Sequence, residues 1–184
     1  MHNIYEAGIN WEELSLNPIF KPIKYFFEFY LLGIGFVGQP DFQRVFLQTH
    51  PEFKNTIERY NLNVNLEKDG SNIKTESKEY WITLGRMMSI AIFNILESSE
   101  YNSILNQEDL FKFTKHLRNG SAHNNKFNIS PPVQRPIIWR DKIIDNNLNG
   151  TPVFTDFFNP ILLIFLMKDI SDLIAEKEAL KTGR

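Results

Sequence analysis

Arg118 and His123 stand with four residues between them in the string Arg118-Asn119-Gly120-Ser121-Ala122-His123. Arginine presents a permanent, planar, two-pronged cation that fits a phosphate. Histidine titrates near neutrality and can move a proton. Together the two residue types suit chemistry on a phosphodiester. On an unbroken helix five positions advance about 500°, which would turn the two side chains to different faces. Asn119-Gly120 is expected to interrupt the helix, because glycine readily takes backbone conformations that a helix does not. Ser121 would then cap a new helical segment, and Arg118 and His123 would converge on one cleft.

The surroundings favour an anionic ligand. From Lys112 to Lys142 seven basic residues stand against the single acid Asp141. That local charge of +6 leaves −8 for the rest of a chain whose net charge is −2. A basic face on an acidic body suits a phosphate or a short stretch of RNA, and a general nucleic-acid coat is not expected. Lys115 and Lys126, which flank the motif, are the candidate RNA contacts.

Other chemistries are poorly served. The chain has no cysteine, which excludes disulfides, thiolate metal sites and a cysteine nucleophile. It contains no phosphate-cradling glycine loop, no Gly-x-Ser-x-Gly elbow and no His-Glu-x-x-His. His2 and His50 stand alone, and His116 and His123 lie seven apart with no carboxylate cluster beside them. No metal and no other cofactor is expected.

The elements that must position the motif read as helices. Phe20 to Gly33 and Phe42 to Tyr60 are two apolar or amphipathic candidates, followed by a polar loop over Asn61 to Ser77. Glu79 to Leu96 is the clearest helix. Its Trp81, Leu84, Met88 and Ile92 recur at spacings of three and four, which predicts one buried face. Gln107 to Leu117 follows, with Leu110, Phe113 and Leu117 on one side. Three prolines (131, 132 and 136) predict an extended passage, and 137–144 a short strand or hairpin. Thr155 to Leu180 closes the chain as a long helix, bent at Asn159-Pro160. The expected fold is a mainly all-α bundle of four to five helices, in one domain spanning 1–184.

The segment Leu117-Arg118-Asn119-Gly120-Ser121-Ala122-His123-Asn124 resembles the Arg-x4-His motif of the HEPN superfamily. In that motif a polar residue, often Asn, follows the arginine, and Asn119 matches. The resemblance covers about eight residues and the helix order. It implies a HEPN-like bundle and a metal-independent endoribonuclease, with Arg118 and His123 catalytic and Asn119 supporting them. It also implies a homodimer whose two Arg/His pairs form a composite site, and a role in host defence or a toxin–antitoxin-like system with an antitoxin or regulatory protein as partner. Some HEPN toxins carry a tyrosine two residues after the histidine, where this chain has Asn125, so regulation by modification of that tyrosine is not implied.

Two rival readings remain open: a non-catalytic RNA- or nucleotide-binding module using the same basic cleft, and a purely structural interaction protein. Trp139, Tyr80 and Trp81 can stack on bases, although aromatic residues at helical spacing are usually core. The chain shows neither a signal peptide nor about 18 uninterrupted apolar residues. No membrane partner is expected, and the cytoplasm is the expected compartment.

Overall fold

Apolar side chains recurring every three to four residues build the longest helix among the described residues, α1 (Ser77–Ser98). They place Leu84, Met88, Ile92 and Leu96 on one buried face. Trp81, expected with them, is half-buried. The computed structural model describes residues 14–26 and 77–182, with Arg59 alone between them. The predicted helix over 42–60 and the loop over 61–77 therefore lie almost wholly outside the described residues. The chain divides into two compact units, Met1–Ile23 with Ile82–Arg184, and Lys24–Trp81.

The first unit continues through a short helix α2 (Asn102–Leu105) into α3 (Asp109–Ala122), which carries most of the motif. Asp109 stands in the first turn of α3, where a negative charge complements the helix dipole. Phe111, Phe113, Thr114 and Leu117 are buried along the helix, and the Thr114 hydroxyl donates back to the Leu110 carbonyl. Strands β1 (Ile137–Trp139) and β2 (Lys142–Ile144) form the predicted hairpin. They pair antiparallel, with Ile137 opposite Ile144, Ile138 opposite Ile143 and Trp139 opposite Lys142. Ile137, Trp139 and Ile144 turn inward, while Ile138 and Ile143 are about half exposed at 58% and 49%. This is the alternation expected of a strand pair covered on one side.

The last helix, α4 (Leu162–Thr182), starts seven residues later than the sequence predicts. Pro160 therefore precedes the helix and does not bend it. The Asn159 carboxamide accepts from the Ile161 N–H ahead of the first turn. Residues 151–161 form an irregular passage instead. Their Val153, Phe154 and Phe158 are fully buried, and apolar burial holds the passage where backbone ladders do not. The Phe158 ring lies within 6.0 Å, centroid to centroid, of Phe113, Trp139 and Phe154. Trp139 is therefore a core residue and not a base-stacking platform. Its indole N–H donates to Asp169 of α4, which also receives a two-pronged bond from Arg140. Burial works against the Asp169 charge, but the hydrogen bonds from Arg140 and Trp139 outweigh it and hold the carboxyl below its ordinary range. At the N-terminus, a 3-10 turn (Pro18–Phe20) docks on α4 through the Asn17 N–H, which donates to the Ser171 hydroxyl.

The unit is thus mainly helical with one small antiparallel sheet. No helix among the described residues is long and apolar enough to cross a membrane.

Candidate functional site

The motif sits on a helix that the sequence reading expects to break and that does not. Helix α3 runs through Arg118-Asn119-Gly120-Ser121 and ends only after Ala122. Gly120 is there for space. A Cβ on Gly120 would lie 2.3 Å from Val153 Cγ2 and 3.1 Å from the Lys126 carbonyl oxygen. The helix end and the 151–158 passage touch at this point. Gly120→Ala should therefore destabilise the unit by about 1–3 kcal/mol, because overpacking outweighs the roughly 1 kcal/mol of helix propensity gained. Chemical denaturation measures it, and an unchanged or raised stability would refute the close approach.

Ser121 is not a cap either. It is fully buried and its hydroxyl donates to the Leu117 carbonyl at 2.7 Å. The same oxygen lies 2.7 Å from the hydroxyl of Ser89 on α1. Arg86, one turn earlier on α1, donates from Nε to the Ser121 carbonyl at 2.9 Å. A cation thereby meets one of the carbonyls that a helix C-terminus leaves without an intrahelical partner.

His123 is the C-cap residue, with φ −97° and ψ 56°, and its N–H donates to the Asn119 and Gly120 carbonyls. Its side chain is exposed. Asn124 and Asn125 then take left-handed backbone conformations, φ 55° and 63°, which asparagine tolerates better than most residues. The Asn125 carboxamide donates to the Phe154 carbonyl and accepts from the Phe154 N–H, both at 2.8 Å. The chain leaves the helix and is clamped to the buried 151–158 passage at once.

Arg118 is half-buried, with its guanidinium 6.0 Å from the centroid of the Phe93 ring. One terminal nitrogen, Nη1, donates to the Asn119 carboxamide oxygen at 3.3 Å. Nε is buried without a hydrogen-bond partner. Such an orphan buried donor is rare and unfavourable. Arg118, Lys115 and Lys126 have no acidic partner among the described residues. The other cations of the basic stretch do: Arg135 and Lys112 flank Asp109, Arg140 pairs with Asp169, and Lys142 with Asp141. The +6 of the basic stretch thus narrows to three unpaired charges around the motif.

The unbroken helix also decides which residues share a face. At about 100° per residue, Arg118 and the Cα of His123 lie roughly 140° apart around the axis, whereas His116 and His123 are nearly aligned. The expected convergence of Arg118 and His123 on one cleft through a broken helix is thereby corrected. Lys112, Lys115, His116 and Asn119 fall on one stripe and line a cavity of about 320 Å³ against the 130–137 segment. Asn119 belongs to both neighbourhoods, since it also accepts from Arg118. Exposed Lys126 stands beyond the helix end, in an isolated bridge with Pro152.

The His116 Nδ1 is buried without a partner. Burial first, then the charge of Lys115, holds its pKa below 6.5. A histidine whose pKa is depressed on folding binds fewer protons folded than unfolded, so the fold loses stability as pH falls below about 6.5. The thermal midpoint should drop over that range, and His116→Gln should drop less. Equal drops in both proteins would contradict the assignment.

Among the described residues no group of three or more histidine or carboxylate side chains is placed to hold a metal ion. Sequence reasoning missed Arg86, Ser89 and the clamp that Asn125 makes on Phe154. The Asn124-Asn125 pair after a helix was the one available signal, because asparagine is favoured where the chain turns left-handed. Comparison with family models, with curated proteins and with solved structures found no match to this chain.

Proposed function

We propose that the chain is a metal-independent endoribonuclease of the HEPN type, acting as a homodimer in host defence or a toxin–antitoxin-like setting. The observation that carries this reading is the state of Arg118: a guanidinium with no acidic partner among the described residues, set beside Phe93 and Asn119, within two turns of exposed His123. A phosphate oxygen is the acceptor this group lacks. In the reaction, His123 takes the proton of a ribose 2′-hydroxyl as its oxygen attacks the adjacent phosphorus. The bond from phosphorus to the 5′-oxygen breaks, and that oxygen leaves with a proton. Arg118 offsets the charge that grows on the phosphate oxygens, and the products are a 2′,3′-cyclic phosphate and a 5′-hydroxyl. Lys115 and Lys126 would hold the flanking phosphates.

The roughly 140° between Arg118 and the His123 Cα around α3 favours a second subunit in this reading. A two-fold axis beside the motif would set each Arg118 opposite the His123 of the other copy and supply both a base and an acid. The same divergence favours one alternative, an RNA- or nucleotide-binding module without catalysis. Incubating bulk RNA with the protein in EDTA, and analysing the ends, separates the two. Cyclic-phosphate ends from a dimeric protein support the enzyme, and intact RNA that is nonetheless bound supports the module.

A further inference from the structure

We propose that the cavity between the 100–104 segment and the last turn of α4 binds an alkyl polyamine, independently of the cleavage chemistry assigned to Arg118 and His123. The cavity holds about 540 Å³, within the usual range for small-ligand sites of roughly 300–1,000 Å³. Glu100, Tyr101 and Ile104 form one wall, and α4 supplies the other from Glu178 to Thr182.

Charge selects the sign of the ligand. One exposed glutamate stands on each wall, and neither Glu100 nor Glu178 has a cationic partner among the described residues. Helix α1 ends at Ser98, two residues before Glu100, and α4 ends at Thr182 in the cavity wall itself. Two helix C-termini, each equivalent to roughly half a negative charge, add to the field of the carboxylates. Lys181, on the same turn of α4, offsets only part of it.

The lining also selects the kind of cation. A metal ion is poorly served, because no group of three or more histidine or carboxylate side chains among the described residues is placed to hold one. Tyr101, Ile104 and Ala179 supply apolar surface for a chain of methylenes, and an ammonium is attracted to the face of a tyrosine ring. The Thr182 hydroxyl donates to the Ala179 carbonyl, so its oxygen remains to accept from an ammonium N–H. A lysine side chain from a polypeptide brings one charge and would leave one glutamate unpaired. A polyamine brings two or more ammonium groups joined by methylenes, one for each wall.

Both walls are held before any ligand arrives. The Ser99 hydroxyl accepts from the Tyr101 N–H at 3.2 Å and donates to the Leu96 carbonyl at 2.8 Å, which ties the 100–104 wall to the end of α1. Lys177, adjacent to Glu178, pairs with Glu108, three residues past the buried Leu105. The end of α4 is thereby fastened to the stretch of chain that carries the opposite wall. A site held in this way loses little entropy when a ligand binds.

The test is an NMR titration of the full chain, purified free of nucleic acid and labelled at tyrosine and alanine. The probes are spermidine, putrescine, butylamine and acetyl-lysine amide, with magnesium chloride at equal ionic strength as the control. The expected result is a saturable shift of the Tyr101 ring and Ala179 methyl signals, with affinity falling from spermidine through putrescine to butylamine. Glu100→Gln and Glu178→Gln, both at exposed positions, should keep the parental thermal midpoint. Each should weaken spermidine binding about tenfold, the loss of one charge-assisted contact. The site is overturned if spermidine leaves both signals unmoved, if magnesium chloride reproduces the shifts, or if both folded variants bind as tightly as the parent. Acetyl-lysine amide binding as tightly as spermidine also overturns it, and would make the cavity a dock for a polypeptide side chain. None of these readouts requires RNA cleavage, so an inactive protein leaves the test intact.

Discussion

If the chain cleaves RNA as proposed, His123→Ala should slow that cleavage by roughly 10²–10⁴-fold, the usual contribution of one positioned proton-transfer group. Arg118→Ala should slow it by roughly 10²–10³-fold, comparable to removing one preorganised stabiliser of transition-state charge. Neither change should move the thermal midpoint far. The His123 side chain is exposed, and the bonds that end α3 come from its backbone. Arg118 gives up packing on Phe93, but its removal also abolishes a buried Nε without a partner, and the two effects oppose each other. The proposed dimer gives a sharper outcome. If one centre draws Arg118 from one subunit and His123 from the other, mixing the two inactive variants restores part of the activity, because the mixed dimer rebuilds one complete pair. Cleavage rates for each variant and for the re-annealed mixture decide the matter. A His123→Ala protein that cuts RNA as fast as the parent removes the enzyme reading altogether.

Phe158→Ala should be the most destabilising single change in the first unit, at about 3–5 kcal/mol. The residue is fully buried, and it lies where α3, β1 and the irregular passage meet, beside Phe113, Trp139, Phe154 and Phe157. Removing the ring leaves a cavity that four other rings cannot close without abandoning their own contacts. Stabilities of natural domains are of order 5–15 kcal/mol, so this one substitution consumes a large share. Phe165→Ala, at a position 39% exposed, is the control and should be mild. Denaturant midpoints of the two variants test the ranking, and equal midpoints would show that the aromatic cluster is not the centre of the core.

The contrast between those two positions shows what the sequence made legible. Leu84, Met88 and Ile92 could be read as buried because helical spacing carries its own signal over several turns. The hairpin at 137–144 was legible because Arg140-Asp141 separates two apolar runs that alternate in and out. The 151–161 passage was not legible. Its Val153, Phe154 and Phe158 are core residues held by contacts distant in sequence, and no local period marks them. Gly120 misled for the same reason. Asn-Gly reads locally as a breaker, and only the nearness of Val153 reveals that glycine serves there as a gap in the side-chain layer. The motif can be read off the sequence as a string, but the mutual orientation of its residues depends on whether α3 continues. That was decided by Arg86, Ser89 and Asn125, which lie outside the string.

Asn125 makes the motif a poor unit of inheritance. Its carboxamide grips Phe154, 29 positions downstream, two residues after His123 ends the helix. The direction in which His123 emerges is therefore written partly into a loop that contributes no chemistry of its own. A graft of Arg118 through His123 onto a foreign helix would carry the letters without the exit angle. Drift or recombination across 151–158 would alter the site while leaving every motif residue unchanged. The span that must travel together runs from Arg86 to Phe158.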